Sequence, residues 1–419
     1  MREMKDSGIE WIGQIPKGWE LRRAKTLFTQ RNSKGNGIEV LLSPTQKYGV
    51  VPQSQLEGVV QVKEDTDLQM FKTVHKGDFV ISLRSFQGGF EYSLYEGVCS
   101  PAYQVFYPTS PICDTYYRYL FKSQSFISKM NNLTVGIREG KNIQYVDFAN
   151  SRIPVPPLAE QERIAVFLDA ECAEIDTVLE KTRASIEEYK KLKQAVITQA
   201  VTKGIRGDRP MKDSGIEWIG NIPAEWDVVR IKNLFDYRNE RNFKPLEEVN
   251  LISLYTDKGV VQHCDLDETT GNKASNADGY KLVYENDIVV NIILCWMGSI
   301  GRSAYFGVTS PAYDVYSPKQ KTNSKFYHYL FRTNGFSGDC YKVGRGIMAM
   351  RWRTYSDQFR AIKVVSPPQS EQEEIVEYLD EKCEGIDDLI AKKQQYLTEI
   401  ENYKKSLIYE YVTGKKEVV

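Results

Sequence analysis

The sequence predicts a mixed α/β protein built from two copies of one globular unit, each followed by a long helix, with the two helices forming an antiparallel coiled coil. Three observations predict it. Residues 4–19 (MKDSGIEWIGQIPKGW) recur as residues 211–226 (MKDSGIEWIGNIPAEW) with three positions changed. Pro156-Pro157 and Pro367-Pro368 each open a long stretch that is apolar at heptad spacing. Between these landmarks the copies keep matching: Leu27-Phe28 with Leu234-Phe235, Gly49-Val50-Val51 with Gly259-Val260-Val261, and Ser100-Pro101-Ala102-Tyr103 with Ser310-Pro311-Ala312-Tyr313. Internal repetition on this scale decides architecture before any single element does.

Taken in order, residues 1–155 form the first unit and 156–204 its helix; residues 205–366 form the second unit and 367–419 the second helix. Within each unit, short β runs such as Phe79-Val80-Ile81 and Asp287-Ile288-Val289-Val290 follow the turn signals Lys76-Gly77 and Glu285-Asn286. Glycine-rich breaks come next, then a strand after each SPAY, then an amphipathic helical stretch at residues 116–126 and 326–336. Each prolyl pair bars helix upstream and suits the first helical turn, so both long helices start at the same place in their own half. Ser370 and Glu373 have capping-box spacing, and in both copies carboxylates gather at the positive end of the helix dipole. The seam then runs through Ile164, Leu168, Ile175, Leu179, Ile186, Tyr189 and Val196, and in the second copy through Ile375, Leu379, Ile386, Ile390, Leu397, Ile400 and Leu407. If an antiparallel pair relates the halves by a pseudo-two-fold axis, Ile9, Trp11 and Ile12 dock by the end of the second helix as Ile216, Trp218 and Ile219 dock by the first. The chain is then circularly organised.

Composition narrows the function. Hydrophobic content of 41% is ordinary for a soluble protein, no apolar run reaches membrane-spanning length, and the opening MREMKD lacks a signal-peptide core. Seven cysteines without a CxxC pair fit a reducing compartment, which places the protein in the cytoplasm with no membrane partner. Cys172 and Cys383 fall at equivalent positions beside the seam and read as packing residues. A net charge of −1 makes any nucleic-acid surface a local one. Motifs for methyl transfer and nucleotide hydrolysis are missing, the E-x-K of Glu139-Gly140-Lys141 has no counterpart near Arg345, and His75, His263 and His328 lack metal-site spacing. Trp11, Trp19, Trp218 and Trp226 read as core or docking anchors.

The duplicated DSGIEWIG…IP…W, the SPAY strand and the IPVPPLAEQERIAVFLD opening of a long helix resemble the specificity subunit of type I restriction-modification enzymes, over essentially the whole chain. The resemblance implies two target-recognition domains, each reading half of a bipartite site in double-stranded DNA, with the two helices as spacer. It also implies two methyltransferase (modification) subunits as partners and, through them, restriction subunits. This chain is then a non-catalytic recognition subunit without a cofactor, and S-adenosylmethionine and ATP belong to the partner subunits.

Read for DNA contacts, the copies offer three loop pairs where Lys, Arg, Asn, Gln and Tyr could reach phosphates or base edges. Residues 342–356 (KVGRGIMAMRWRTYS) carry Lys342, Arg345, Arg351 and Arg353 without an acidic residue, and their counterpart 136–145 carries Arg138, Lys141 and Asn142. Residues 82–89 offer Arg84 and Gln87 against Asn291 in 291–298, and a third pair offers Lys47 and Tyr48 against Tyr255 and Lys258. These loops diverge while the frame stays matched, as reading two different half-sites requires. Arg22, Arg23, Lys25 and Arg31, and Arg230, Lys232, Arg238 and Arg241, recur in both copies and suit phosphate contacts. Two alternatives stand beside this reading. One is a coiled-coil structural or adaptor protein whose globular units bind protein; the other is a stand-alone enzyme, which would need a catalytic cluster.

Overall fold

The computed structural model describes residues 2–35, 40–56, 68–82, 89–133, 143–263, 276–346 and 352–418. The chain divides into two compact units, Met1–Arg183 with Gln394–Val419, and Ala184–Lys393, so each long helix gives part of its length to each unit.

Both units contain the same sheets. In the first, a four-stranded antiparallel sheet has the order Phe28–Arg31, Gln104–Pro108, Phe79–Ile81, Phe90–Tyr92. In the second the order is Phe235–Arg238, Tyr313–Pro318, Ile288–Asn291, Ile300–Arg302. The hairpin Leu42–Thr45/Gly49–Pro52 has its counterpart in Ile252–Tyr255/Gly259–Gln262. Strand Arg152–Val155, just before the first Pro-Pro, pairs with Glu20–Arg23, and Lys363–Ser366 pairs with Asp227–Arg230. The helix start is thereby tied to the beginning of its own unit. The single amphipathic stretch expected in each copy is two helices, Asp114–Lys122 and Gln124–Leu133, matched by Ser324–Phe331 and Asn334–Val343. Thr333 explains the break, because its hydroxyl caps the second helix by accepting from Phe336 N–H at 3.3 Å.

Aromatic side chains fill the first unit: Phe28 meets Phe79, Phe106, Tyr117, Phe121 and Phe148 at centroid distances of 5.3–5.8 Å. The seam residues Ile164, Leu168, Ile175 and Leu179 extend this core toward Leu407 and Val412 of the second long helix. In the second unit Ile375 and Leu379 share a core with Ile197, Ala200 and Val201. Each buried Val, Leu or Ile among them contributes about 1.5–3 kcal/mol. Cys172 and Cys383 are buried beside the seam as free thiols.

The helices Leu158–Lys203 and Gln369–Val412 run antiparallel. In the first unit Phe167 packs on Tyr411, Asp176 pairs with Lys404 and Arg183 with Glu401; in the second, Lys193 pairs with Asp387. Residue numbers fall along one helix as they rise along the other. These ion pairs are largely exposed, so each sets register more than stability.

At the start of each long helix the repeated motifs converge on one carboxylate. In the first unit Glu160 accepts from Trp19 Nε1 at 2.9 Å and from Arg2 Nη2 at 2.6 Å, and the guanidinium lies over the indole. In the second, Glu371 accepts from Trp226 Nε1 at 2.8 Å and forms an ion pair with Arg209 at 2.6 Å, again over the indole. The neighbouring glutamines repeat as well. Gln161 accepts from Cys113 N–H and donates to Pro156 O, while Gln372 accepts from Asn323 N–H and donates to Pro367 O. Ser370 is not an N-cap: the chain is already helical at Gln369, and Pro368 O accepts from the backbone of Glu371 and Gln372.

The end of each helix closes on the same assembly. Lys415 donates to Ile12 O at 2.6 Å and Lys203 to Ile219 O at 2.7 Å, although lysine and glycine are transposed between Lys203-Gly204 and Gly414-Lys415. Gly414 has φ +72°, and a Cβ there would lie 2.5 Å from Pro16 Cδ; only glycine fits. Arg2, Met4, Gln14, Lys415 and Glu417 line one cavity, so the segments bearing the two termini adjoin. Joining Val419 to Met1 through a short linker and opening the chain between Gly207 and Asp208 is therefore expected to leave a folded protein. The cut falls in exposed backbone and spares the flanking Arg206–Glu374 and Arg209–Glu371 pairs. Thermal unfolding of the permutant checks this, and loss of a cooperative transition would refute it.

Candidate nucleic-acid interface

In the second unit the described parts of the candidate loops are joined to one another by a chain of contacts. The hairpin turn carrying Tyr255 and Lys258 is pinned by Arg332, which donates to Thr256 O at 2.8 Å, Asp257 O at 2.9 Å and Ile300 O at 3.0 Å. Lys258 is exposed and Tyr255 half-buried. Beyond Ile300 the loop after Asn291 carries Trp296, whose ring is 5.7 Å from that of Tyr341; Tyr341 in turn stacks on Trp352 at 5.0 Å. Tyr341 and Met297 are 50% and 52% exposed, which leaves an apolar surface beside the basic loop. Arg345 and Arg353 exchange two backbone hydrogen bonds of 2.8 and 3.0 Å, and both side chains are exposed. Thr354 N–H donates to Ile292 O at 2.9 Å, joining this loop to the one before it.

Two of the expected contact residues have other engagements. Asn291 is buried, and its Oδ1 accepts from Ile293 and Leu294 N–H at 3.0 and 3.3 Å, so its carboxamide shapes the loop from inside. Lys342 is exposed but paired with Glu217 at 2.8 Å. In the first unit the Lys47 ammonium lies 4.8 Å over the ring of Tyr48, which is 61% exposed. The turn beneath them is held by Thr45, which donates to Gly49 O and accepts from Tyr48 N–H. Arg84, Gln87, Arg138, Lys141, Asn142 and Arg351 lie outside the described residues.

The recurrent arginines separate into two groups. Arg22, Arg23, Arg230 and Lys232 are exposed, as phosphate contacts require. Arg31 and Arg238 are not available in that way. Arg31 binds both oxygens of Asp78 at 2.7 and 3.0 Å and lies over Tyr107. Arg238 does the same with Asp287 at 2.8 and 3.1 Å and lies over Tyr284. Burial pushes the Asp287 carboxyl above its ordinary range, and the arginine is its counterweight. His328 is half-buried, with its pKa lowered to about 3 first by desolvation and then by Arg332, so it stays neutral and accepts from Arg302 N–H at 3.1 Å. Among the described residues no group of three or more His, Cys, Asp or Glu is placed to hold a metal ion, and no helix is long and apolar enough to cross a membrane.

Sequence reasoning missed one diverged cluster. Directly after each SPAY stands Gln104 in the first copy and Asp314 in the second. Gln104 donates to Gln144 Oε1 at 2.8 Å and accepts from Tyr145 N–H at 2.8 Å and from Gln30 Nε2 at 3.4 Å. Asp314 instead binds Lys281 at 2.8 Å and accepts from Tyr237 OH at 3.3 Å. Aligning the copies on SPAY would have exposed the change, but not its partners, which come from segments distant in sequence.

Comparison with known proteins places the fold and the family. A family described as "Type I restriction modification DNA specificity domain" matches residues 16–188 and 223–401, once per copy. A relative named "Putative type I restriction enzyme MjaX specificity subunit", from Methanocaldococcus jannaschii, is 25% identical over 435 residues, covering 97% of this chain and 96% of its own. Among solved structures, one describing complex assembly and conformational transition of the type I R-M system contains a chain with TM-score 0.71. It is 14% identical and covers 96% of this chain and 99% of its own. The HsdS subunit from Thermoanaerobacter tengcongensis gives TM-score 0.51 at 15% identity, covering 96% and 98%. With both copies matched, the chain belongs to the type I restriction-modification DNA specificity family.

Proposed function

We propose that this chain binds double-stranded DNA as the specificity subunit of a type I restriction-modification complex, each globular unit reading one half of a bipartite site. Residues 1–155 read one half and 205–366 the other, and the long helices connect them. Two modification subunits dock on the assembly, and restriction subunits join through them. Chemistry then belongs to the partners, where S-adenosylmethionine and ATP are bound; this chain has no catalytic role and no cofactor, and it works in the cytoplasm. The observation that carries this reading is a matched frame bearing unmatched polar surfaces. The Arg–Asp pairs, Trp–Glu pairs and sheets repeat between copies, whereas the loops bearing Arg345, Arg353 and the Trp296–Tyr341–Trp352 run carry different residues from their counterparts 82–89 and 136–145 in the first copy.

A gel-shift series with and without the modification subunits tests it. Binding is expected to weaken linearly in log K against log salt, as counterion release requires. Lys232→Ala should lower affinity on all sequences and reduce that slope. Arg353→Ala should cost roughly 1–3 kcal/mol and relax one position of one half-site. Salt-independent binding, or none even with the modification subunits, would instead fit an adaptor whose units bind protein.

A further inference from the structure

The nearly identical segments 4–19 and 211–226 rest on different surfaces. In the second unit Trp218 Nε1 donates to Asp339 Oδ2 at 2.6 Å, and Glu217 pairs with Lys342 at 2.8 Å. The indole lies so close to Gly335 that a Cβ there would be 2.1 Å from its Cε3. Three residues of the helix Asn334–Val343 thus hold the segment down. All three differ in the first copy, where the helix Gln124–Leu133 has Ser125, Lys129 and Asn132 at the places of Gly335, Asp339 and Lys342. A serine Cβ would strike an indole in that position, and a lysine cannot accept its N–H. Trp11 instead meets Phe126 edge-on, with ring centroids 5.7 Å apart, and a cavity of about 800 Å³ opens beside them. Glu10, Lys129 and Asp147 also line it. Among the described residues these three charges have no ion-pair partner and the Trp11 N–H has no acceptor. Ser125, on the same lining, has its Oγ buried without a hydrogen-bond partner.

We propose that this cavity is a docking site for a modification subunit, which presents an acidic side chain to Trp11 N–H, Ser125 Oγ and Lys129 and a basic one to Glu10. The proposal rests on the function above. The second unit shows which groups satisfy the repeated segment: a carboxylate on the indole and an ammonium on the glutamate, supplied there by the chain itself. The first unit keeps both the indole and the glutamate and has lost both partners, so they must come from outside. Nucleic acid does not fit the site, because its phosphates would serve Lys129 but would meet Glu10 and Asp147 with like charge. A protein segment carrying both signs meets every one of these groups, and the exposed ring faces of Trp11 and Phe126 suit its apolar neighbours. With Trp218 already closed by Asp339, the two modification subunits are held unequally.

The test titrates the full-length chain with modification subunits and follows the two binding steps by calorimetry. The wild type is expected to show unequal steps. Lys129→Asp gives Trp11 the acceptor that Trp218 has, and it should weaken one step by roughly tenfold or more while leaving the other unchanged. Trp11→Phe keeps a ring and removes only the N–H, so it should weaken the same step without disturbing the fold. Thermal unfolding of both variants shows whether they are folded. Folded variants that bind both modification subunits as the wild type does overturn the proposal. So does an effect confined to restriction subunits, or self-association of this chain that depends on Lys129, since either would put a different occupant in the cavity. A wild-type chain that binds no modification subunit would instead defeat the proposed function, and the inference with it.

Discussion

Glu371→Ala is expected to destabilise the second unit by about 3–5 kcal/mol, the range for removing one partner of a buried ion pair. The Glu371 side chain is 1% exposed and that of Arg209 is 11% exposed. Trp226, itself fully buried, donates to the same carboxylate. Truncation would leave the indole N–H without its acceptor and take from Arg209 its buried counterion, leaving it Glu225 at 2.9 Å and Lys203 O at 3.1 Å, inside the junction where Gly204 packs against Arg209 and Glu371. For a unit of this size the loss corresponds to a fall in Tm of roughly 6–20 °C. Glu371→Gln keeps an acceptor for Trp226 and should cost less. Glu160→Ala should also cost less in the first unit, because the Glu160 side chain is 15% exposed and more water reaches it. Calorimetry on the three variants checks the order. A Glu371→Ala protein that melts with the wild type would show that the junction is held by apolar packing alone.

Stability of the first unit is expected to carry a pH term from Glu91. This residue is 1% exposed; Oε1 accepts from Lys122 at 2.6 Å, and Oε2 is buried with no hydrogen-bond partner among the described residues. Desolvation outweighs the lysine and raises the carboxyl from 4.5 to about 7. The folded protein therefore holds a proton that the unfolded chain has released, and between those values stability falls as pH rises. At about 1.4 kcal/mol per unit of pKa, the contribution amounts to about 3 kcal/mol by pH 8. Other carboxylates respond in the opposite sense, so the informative quantity is the difference between Glu91→Gln and wild type. That difference should be small near pH 4.5 and should grow in favour of the variant up to pH 8. A difference that is flat with pH would mean that Glu91 ionises normally in the folded unit.

Periodicity and repetition made the long helices, their antiparallel pairing and the duplicated units legible before any coordinates. A heptad stripe repeated in phase has few solutions, and a segment repeated nearly intact must sit in equivalent surroundings. The roles of single polar residues were not legible, because they depend on partners far along the chain. Arg31 and Arg238 looked like phosphate contacts by type and recurrence, yet Asp78 and Asp287 engage both, 47 and 49 residues away. Asn291 looked like a reader, but its loop turns the carboxamide inward. The Trp19–Glu160 bond joins two motifs that the sequence showed separately, 141 residues apart. The Gln104–Gln144 bond escaped notice for the same reason, since it crosses 40 residues.

Two units that read independently on one frame should be separable by exchange. The most direct measurement is the methylated motif of a complex in which residues 205–366 have been exchanged for the equivalent segment of another member of the family, determined by sequencing the modified DNA. The expected result is a bipartite motif in which one half changes to that of the donor while the other half stays as in the wild type. A motif that changes in both halves, or in neither, would contradict it.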